Sequence, residues 1–113
     1  MPNRYRLSRA DLVRLPRPSP RAHGRFFSLS HTKTALFDGP KIVCVVSKKI
    51  AVRATDRNKI RRRCREALKM FLPDIKEPVA LIFVAKREVV AATFDEIRND
   101  VQKLLGRIAQ DRG

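Results

Sequence analysis

Apolar residues are spaced along this chain in two opposed ways. In "IVCVVS", 42–47, and "EPVALIFVA", 77–85, they run almost unbroken. Runs this short and rich in branched residues predict strands covered on both faces, and so central in a sheet. "RFFSLSH", 25–31, alternates instead, with Phe27 and Leu29 on one side and Phe26, Ser28 and Ser30 on the other. That period of two predicts a half-buried strand. "FDGPK", 37–41, supplies a turn between the first two strands.

Elsewhere the spacing is helical. Over about 56–72, Ile60, Cys64, Ala67, Leu68 and Phe71 fall on one narrow stripe, and Pro73 stops the run. Asn58, Arg62, Arg65 and Lys69 stand opposite, with Arg61 on the flank and Arg57 in the first turn. A second helix is predicted over 93–109. Thr93 and Glu96 form its capping box, and Phe94, Ile97, Val101, Leu104, Leu105 and Ile108 lie along one face. A short helix is predicted over 7–14, with Ser8 as N-cap, Asp11 in the first turn and Leu7 against Leu12. The prolines of "LPRPSPRAHG", 15–24, forbid a regular helix and leave a basic extended arm or loop. No repeat is visible, and 113 residues suffice for one two-layer domain, 1–113, whose N-terminal segment, 1–24, is basic and proline-containing.

Charge adds a partner to this picture. Lys and Arg number 26 against 11 Asp and Glu, a formal charge of +15, while 43% of residues are hydrophobic. A folded surface that repels itself in this way is relieved by a polyanion, and from Lys41 to Arg65 the only acid is Asp56. Nucleic acid leads, because each neutralised phosphate releases counterions. No basic stretch adjoins an apolar face aromatic enough to lie in a membrane interface, so no membrane partner is expected. "MPNRYRLSRADLV" has no apolar signal region, and the cytoplasm is the expected location. Cys44 and Cys64, without CxxC or a neighbouring His, are expected to be buried thiols.

Candidate catalytic groups are sparse. A stand-alone nuclease needs clustered carboxylates for metal, or paired histidines. Here the acids are scattered, Asp95, Glu96 and Asp100 are explained by the helix dipole and solvation, and His23 and His31 have no partners in sequence. No glycine-rich phosphate loop is present. Binding residues are plentiful: Lys48, Lys49 and Arg53 lead into the helix, where Arg57, Lys59, Arg61, Arg62 and Arg65 follow. Arginine forks grip phosphate bidentately, and Asn58 among them can read a base edge or orient a neighbouring guanidinium. Phe26 has two readings: a platform for an unstacked base, with Ser28 and Ser30 beside it, or a ring packed under the proline arm.

"VSKKIAVRATDRNKIRRRCREAL", 46–68, resembles the signature of the bacterial ribonuclease P protein subunit, in which Arg57, Asn58, Arg62, Arg65 and Glu66 match outright. "VALIFVAKREVVAATFDEIRNDVQKLL" is similar to that family's last strand and helix. The resemblance implies an α+β two-layer fold, one mixed four-stranded sheet with helices in the order αβββαβα. That fold is ribosomal-protein S5 domain 2-like, with a left-handed βαβ crossover, against the usual rule. It also implies that a large RNA, the ribonuclease P RNA, hydrolyses precursor tRNA at the mature 5′ end. The protein would be monomeric, bound one to one with that RNA, and inactive alone. The RNA-binding residues would be Lys48, Lys49, Arg53, Arg57, Asn58, Lys59, Arg61, Arg62 and Arg65. A cleft including Leu12, Phe26, Ser28 and Ser30 would hold the single-stranded 5′ leader, and Mg²⁺ would be bound mainly by RNA and substrate. Lys59 and Arg61 exchange the family's usual Arg and Lys, and Leu12 and Pro16 stand where it carries aromatics. The competing reading is a structural RNA-binding protein, such as a ribosomal protein or assembly factor.

Overall fold

The computed structural model describes residues 5–15, 20–33 and 36–111. Its elements are α1 (Arg9–Arg14), β1 (Ala22–His23), β2 (Phe27–Lys33), β3 (Lys41–Val45), α2 (Ala54–Lys69), β4 (Val79–Ala85) and α3 (Phe94–Asp111). This is the expected order αβββαβα. The four strands form one sheet in the order β1-β2-β4-β3, mixed because β3 and β4 are parallel and the other pairs antiparallel.

Register assigns the two faces. Phe27 and Leu29 of β2, Leu81 and Phe83 of β4, and Ile42 and Cys44 of β3 share one face. Against it lie Ile60, Cys64, Ala67 and Leu68 of α2 and Ile97, Val101, Leu104 and Ile108 of α3, all buried in one core. Phe27 and Phe83 meet edge to face at 6.2 Å. Each such large side chain removed from water contributes roughly 1.5–3 kcal/mol. Cys44 and Cys64 are buried free thiols, and burial, followed by a hydrogen bond with Cys44, pushes the Cys64 thiol well up. The other face carries a smaller cluster, Leu7, Phe37 and Ala80, joined by Leu12 and Leu15 from the α1 segment and by Val43 and Ile82.

Three sequence expectations are corrected. First, β3 is an edge strand, and β4 alone of the two apolar runs is central. Its apolar residues are explained by cover along the free edge: Arg6 bridges to Ile42, and the Leu7 N–H donates to the Ile42 carbonyl at 2.8 Å. Second, β2 is not half-buried: Ser28, Ser30 and Thr32 are 3, 7 and 7% exposed. They are short side chains, and by register they lie beside the taller Val84 and Ile82 on the face that carries α1's cluster.

Third, Phe26 is 4% exposed and belongs to the main core, so its ring offers no open face to a base. The cause lies in Asp100. Its carboxylate accepts from the Arg25 N–H at 2.8 Å, the Phe26 N–H at 2.9 Å and the Phe27 N–H at 3.0 Å. Three successive amides turned on one carboxylate break the strand's alternation, so Phe26 and Phe27 are both buried. Gly24 is required beside them, because a Cβ there would stand 2.5 Å from Asp100 Oδ1.

Helix ends moved less. α2 starts two residues before the expected Asp56 and stops at Lys69, with Pro73 in a 3-10 turn, Leu72–Asp74. Phe71 is consequently half-buried. Capping boxes close α1 through Ser8 and Asp11 and α3 through Thr93 and Glu96. The described end of the proline arm becomes β1, where Lys86 Nζ donates to the Gly24 carbonyl and Arg107 to the His23 carbonyl.

Candidate nucleic-acid interface

Anchoring α2 by its apolar stripe leaves the opposite side as a fixed cationic array. Asn58 and Arg62 are exposed, and Arg61 and Arg65 are half-buried. Asn58, Arg61 and Arg65 form one wall of a cleft of about 810 Å³. Arg6, Ser8, Arg9 and Leu12 form the facing wall, and Val43 and Val45 of β3 lie between. Val45, 39% exposed, gives the cleft an apolar surface flanked by guanidinium groups. Asn58 Oδ1 accepts from Arg61 Nη2, which orients that fork without adding charge. Such a trough suits a single strand: phosphates meet the cations, and bases meet the apolar surface.

The remaining predicted residues divide. Lys48, Lys49 and Arg53 are exposed on the turn before α2, which is tightened where the Ile50 and Ala51 N–H groups both reach the Ser47 carbonyl, at 3.1 and 3.3 Å. Arg57 faces backwards, its Nη1 donating to the Ala51 and Val52 carbonyls at 3.0 and 2.6 Å. Lys59 stands on the other flank of α2, lining a hollow of about 250 Å³ with Asp56, Arg63, Val89, Val90 and Ile97. Of the four expected leader-cleft residues, Leu12 lines the trough, whereas Phe26, Ser28 and Ser30 do not. Pro16 lies outside the described residues.

Sequence reasoning missed Arg6, Arg9, Val43 and Val45. Arg6 and Arg9 bracket the Ser8 cap, a signal that could have placed them together at the start of α1. Val43 and Val45 were legible only as strand residues. Near this wall the Asp11 carboxyl is held below its usual range, first by the Ser8 backbone N–H and then by the Ser8 hydroxyl, with Lys41 and Arg14 assisting. Among the described residues no group of three His, Cys, Asp or Glu is placed to hold a metal ion. No described helix is long and apolar enough to cross a membrane.

Comparison with known proteins places this geometry. Residues 1–109 match the family model described as Ribonuclease P. The chain is 32% identical over 115 residues to the ribonuclease P protein component of Acidothermus cellulolyticus, covering 99% of this chain and 94% of that protein. Similarity to the Synechococcus sp. component, 33% over 61 residues, spans 54% of this chain and 46% of that relative, about half its length. The structure of Staphylococcus aureus RNase P protein superposes with a TM-score of 0.78 at 28% identity, covering 93% of this chain and 94% of that one. The Thermotoga maritima RNase P protein shares the fold, with a TM-score of 0.76 at 22% identity over 90% of this chain and 96% of that one. With the family match covering residues 1–109 and the fold shared over 93% of the chain, the chain belongs to the ribonuclease P protein family.

Proposed function

We propose that this chain is the protein component of a ribonucleoprotein that removes the 5′ leader from precursor tRNA. One observation carries the reading: α2 brings Asn58, Arg61 and Arg65 to the same cleft as half-buried Val43 and exposed Val45 of β3. The outer cations of α2 and the Lys48–Arg53 turn would bind the ribonuclease P RNA, and the cleft would receive the single-stranded leader. Family membership favours this reading over a ribosomal or assembly protein.

Catalysis is assigned to the RNA. Mg²⁺, held by RNA and substrate phosphates, would polarise the scissile phosphodiester and supply the attacking hydroxide. The protein's part is electrostatic and positional. A surface of charge +15 offsets repulsion between two RNAs, and the fixed cleft orders a leader that is otherwise mobile. Lower repulsion lowers the free Mg²⁺ required. Location in the cytoplasm and one-to-one assembly as a monomer complete the proposal.

The test is precursor-tRNA cleavage by the cognate ribonuclease P RNA at limiting Mg²⁺, with and without the protein, beside an RNA-free control. The expected result is accurate 5′ processing strongly enhanced only when both are present. Cleavage by protein alone, or no stimulation with the cognate RNA, would overturn it.

A further inference from the structure

Arg57 is not placed as a surface cation would be. It sits in the first turn of α2, between exposed Thr55, Asp56, Asn58 and Lys59, yet it is itself half-buried. Its guanidinium spans back across the N-terminus of the helix. One nitrogen, Nη1, meets both the Ala51 carbonyl at 3.0 Å and the Val52 carbonyl at 2.6 Å. Those two carbonyls belong to the segment joining the Ser47 turn to the helix, and α2 has no side-chain cap of its own because its N-cap residue is Arg53.

Part of the segment is held by packing, since Ala51 is buried in the main core and Ile50 packs against it. Val52 is 83% exposed and contributes almost no burial, while Lys48, Lys49 and Arg53 repel one another within six residues. Backbone bonds to Ser47 also fix Ile50 and Ala51, so the clamp adds its restraint at the helix end of the segment, around Val52 and Arg53. With Nη1 taken up by two carbonyls, the edge it would share with Nη2 is not free to grip a phosphate bidentately.

We propose that Arg57 serves RNA binding as a positioning residue: it fixes the 48–53 segment so that Lys48, Lys49 and Arg53 present one preformed cationic grip to RNA phosphates, and does not itself contact RNA. The inference rests on the RNA-binding role proposed above and assigns a different task to one residue within it. Its energetic logic is preorganisation. Three long, mutually repelling side chains would have to be ordered on binding, and the clamp, added to the packing of Ile50 and Ala51, completes the ordering of their backbone beforehand.

The experiment is a double-mutant cycle on the full chain, read by affinity for the cognate RNA over a range of salt. Arg57→Ala is combined with the triple change of Lys48, Lys49 and Arg53 to Ala. Arg57→Ala is expected to weaken binding about tenfold, since cations placed by a lost clamp lose much of their grip. In the triple-Ala background the same change is expected to do nothing beyond about twofold. An equal loss in both backgrounds, with the salt slope reduced by about one unit each time, would mean that Arg57 meets a phosphate and would overturn the proposal.

A second readout separates positioning from general destabilisation. The native cysteines are buried, so Lys49→Cys offers a selective attachment point for a hydroxyl-radical probe. Cuts confined to one short RNA stretch in the parent are expected to spread when Arg57→Ala is added. Unchanged cuts with weakened binding would overturn the proposal. Failure of the parent protein to bind the RNA at all would instead sink the RNA-binding role itself.

Discussion

α2 and α3 are anchored by the same physics and use their polar sides in opposite ways. Each lays an apolar stripe on the same sheet face, Ile60, Cys64, Ala67 and Leu68 in one, Ile97, Val101, Leu104 and Ile108 in the other. On α3 the polar groups turn to the protein's own backbone. Asp100 gathers three amides, Arg107 takes the His23 carbonyl, and Glu96 closes the N-terminal box. On α2 the outward cations find little inside the protein. Among the described residues Arg62 and Arg65 have no hydrogen-bond or ion-pair partner, and Asn58 serves only to orient Arg61. Saturated polar groups hold a fold together, whereas unsatisfied ones on a rigid frame are available to another molecule.

Breaking α3's side of the comparison should have the largest effect. Asp100→Asn keeps the shape but replaces one acceptor oxygen with an amide that faces N–H donors. Stability is expected to fall by on the order of 3 kcal/mol or more, since buried donors are left unpaired and the charge-assisted bonds are lost. Urea unfolding of the variant checks this. The RNA affinity of the fraction that remains folded should keep the parent's salt slope, because no outward cation has changed.

The matching change on α2 should reverse the pattern. Arg62→Ala and Arg65→Ala are each expected to weaken RNA binding and to flatten its dependence on log salt by about one unit. Unfolding free energy should stay within about 0.5 kcal/mol for the exposed Arg62. A salt series and a urea titration on the same preparations decide it, and an unchanged slope would place those side chains away from the RNA backbone.

Phe71 tests where α2's anchoring ends. From spacing alone it belongs to the buried stripe, but the helix ends at Lys69 and leaves Phe71 half-buried before the Pro73 turn. Phe71→Ala is therefore expected to cost about 1–2 kcal/mol, below the 3–5 of a fully buried phenylalanine. A loss at the higher end by urea unfolding would mean that the ring is fully enclosed in solution.

How much of this was legible beforehand follows from the range over which each signal acts. Helical spacing, the Ser8 and Thr93 caps and the apolar run of β4 are local, and they predicted α1, α2, α3 and β4 closely. The edge position of β3 depends on which strand pairs with which, and a five-residue apolar run is the same whether another strand or residues 6 and 7 cover its side. Asp100 read as an ordinary helix-surface acid because its three amide partners lie more than 70 residues away. The same distance hid the fate of Phe26. At the candidate interface, composition and spacing gave the cationic face. They could not show that Arg57 folds back, that Lys59 leaves the cleft, or that Arg6 and Arg9 complete its far wall.

The smallest expected effect concerns how the two helices begin. The Glu96 carboxyl is held below its usual range, first by the Thr93 backbone N–H, with the Thr93 hydroxyl and Arg25 adding to it against a partial loss of solvation. A carboxyl whose pKa is lower folded than unfolded stabilises fully above the unfolded value, and that contribution is lost as pH falls through the folded one. α3's first turn should therefore loosen as pH drops below about 4, the ordinary range of a glutamate. α2 has no side-chain cap to lose. Amide exchange followed from pH 6 towards pH 3 should show Glu96 and Ile97 losing protection more steeply than Arg57 and Asn58. In Glu96→Gln, which cannot titrate there, the extra steepness should vanish. If it persists, the acid sensitivity of α3 arises elsewhere on the helix, and the contrast between a capped and an uncapped start carries no pH signature.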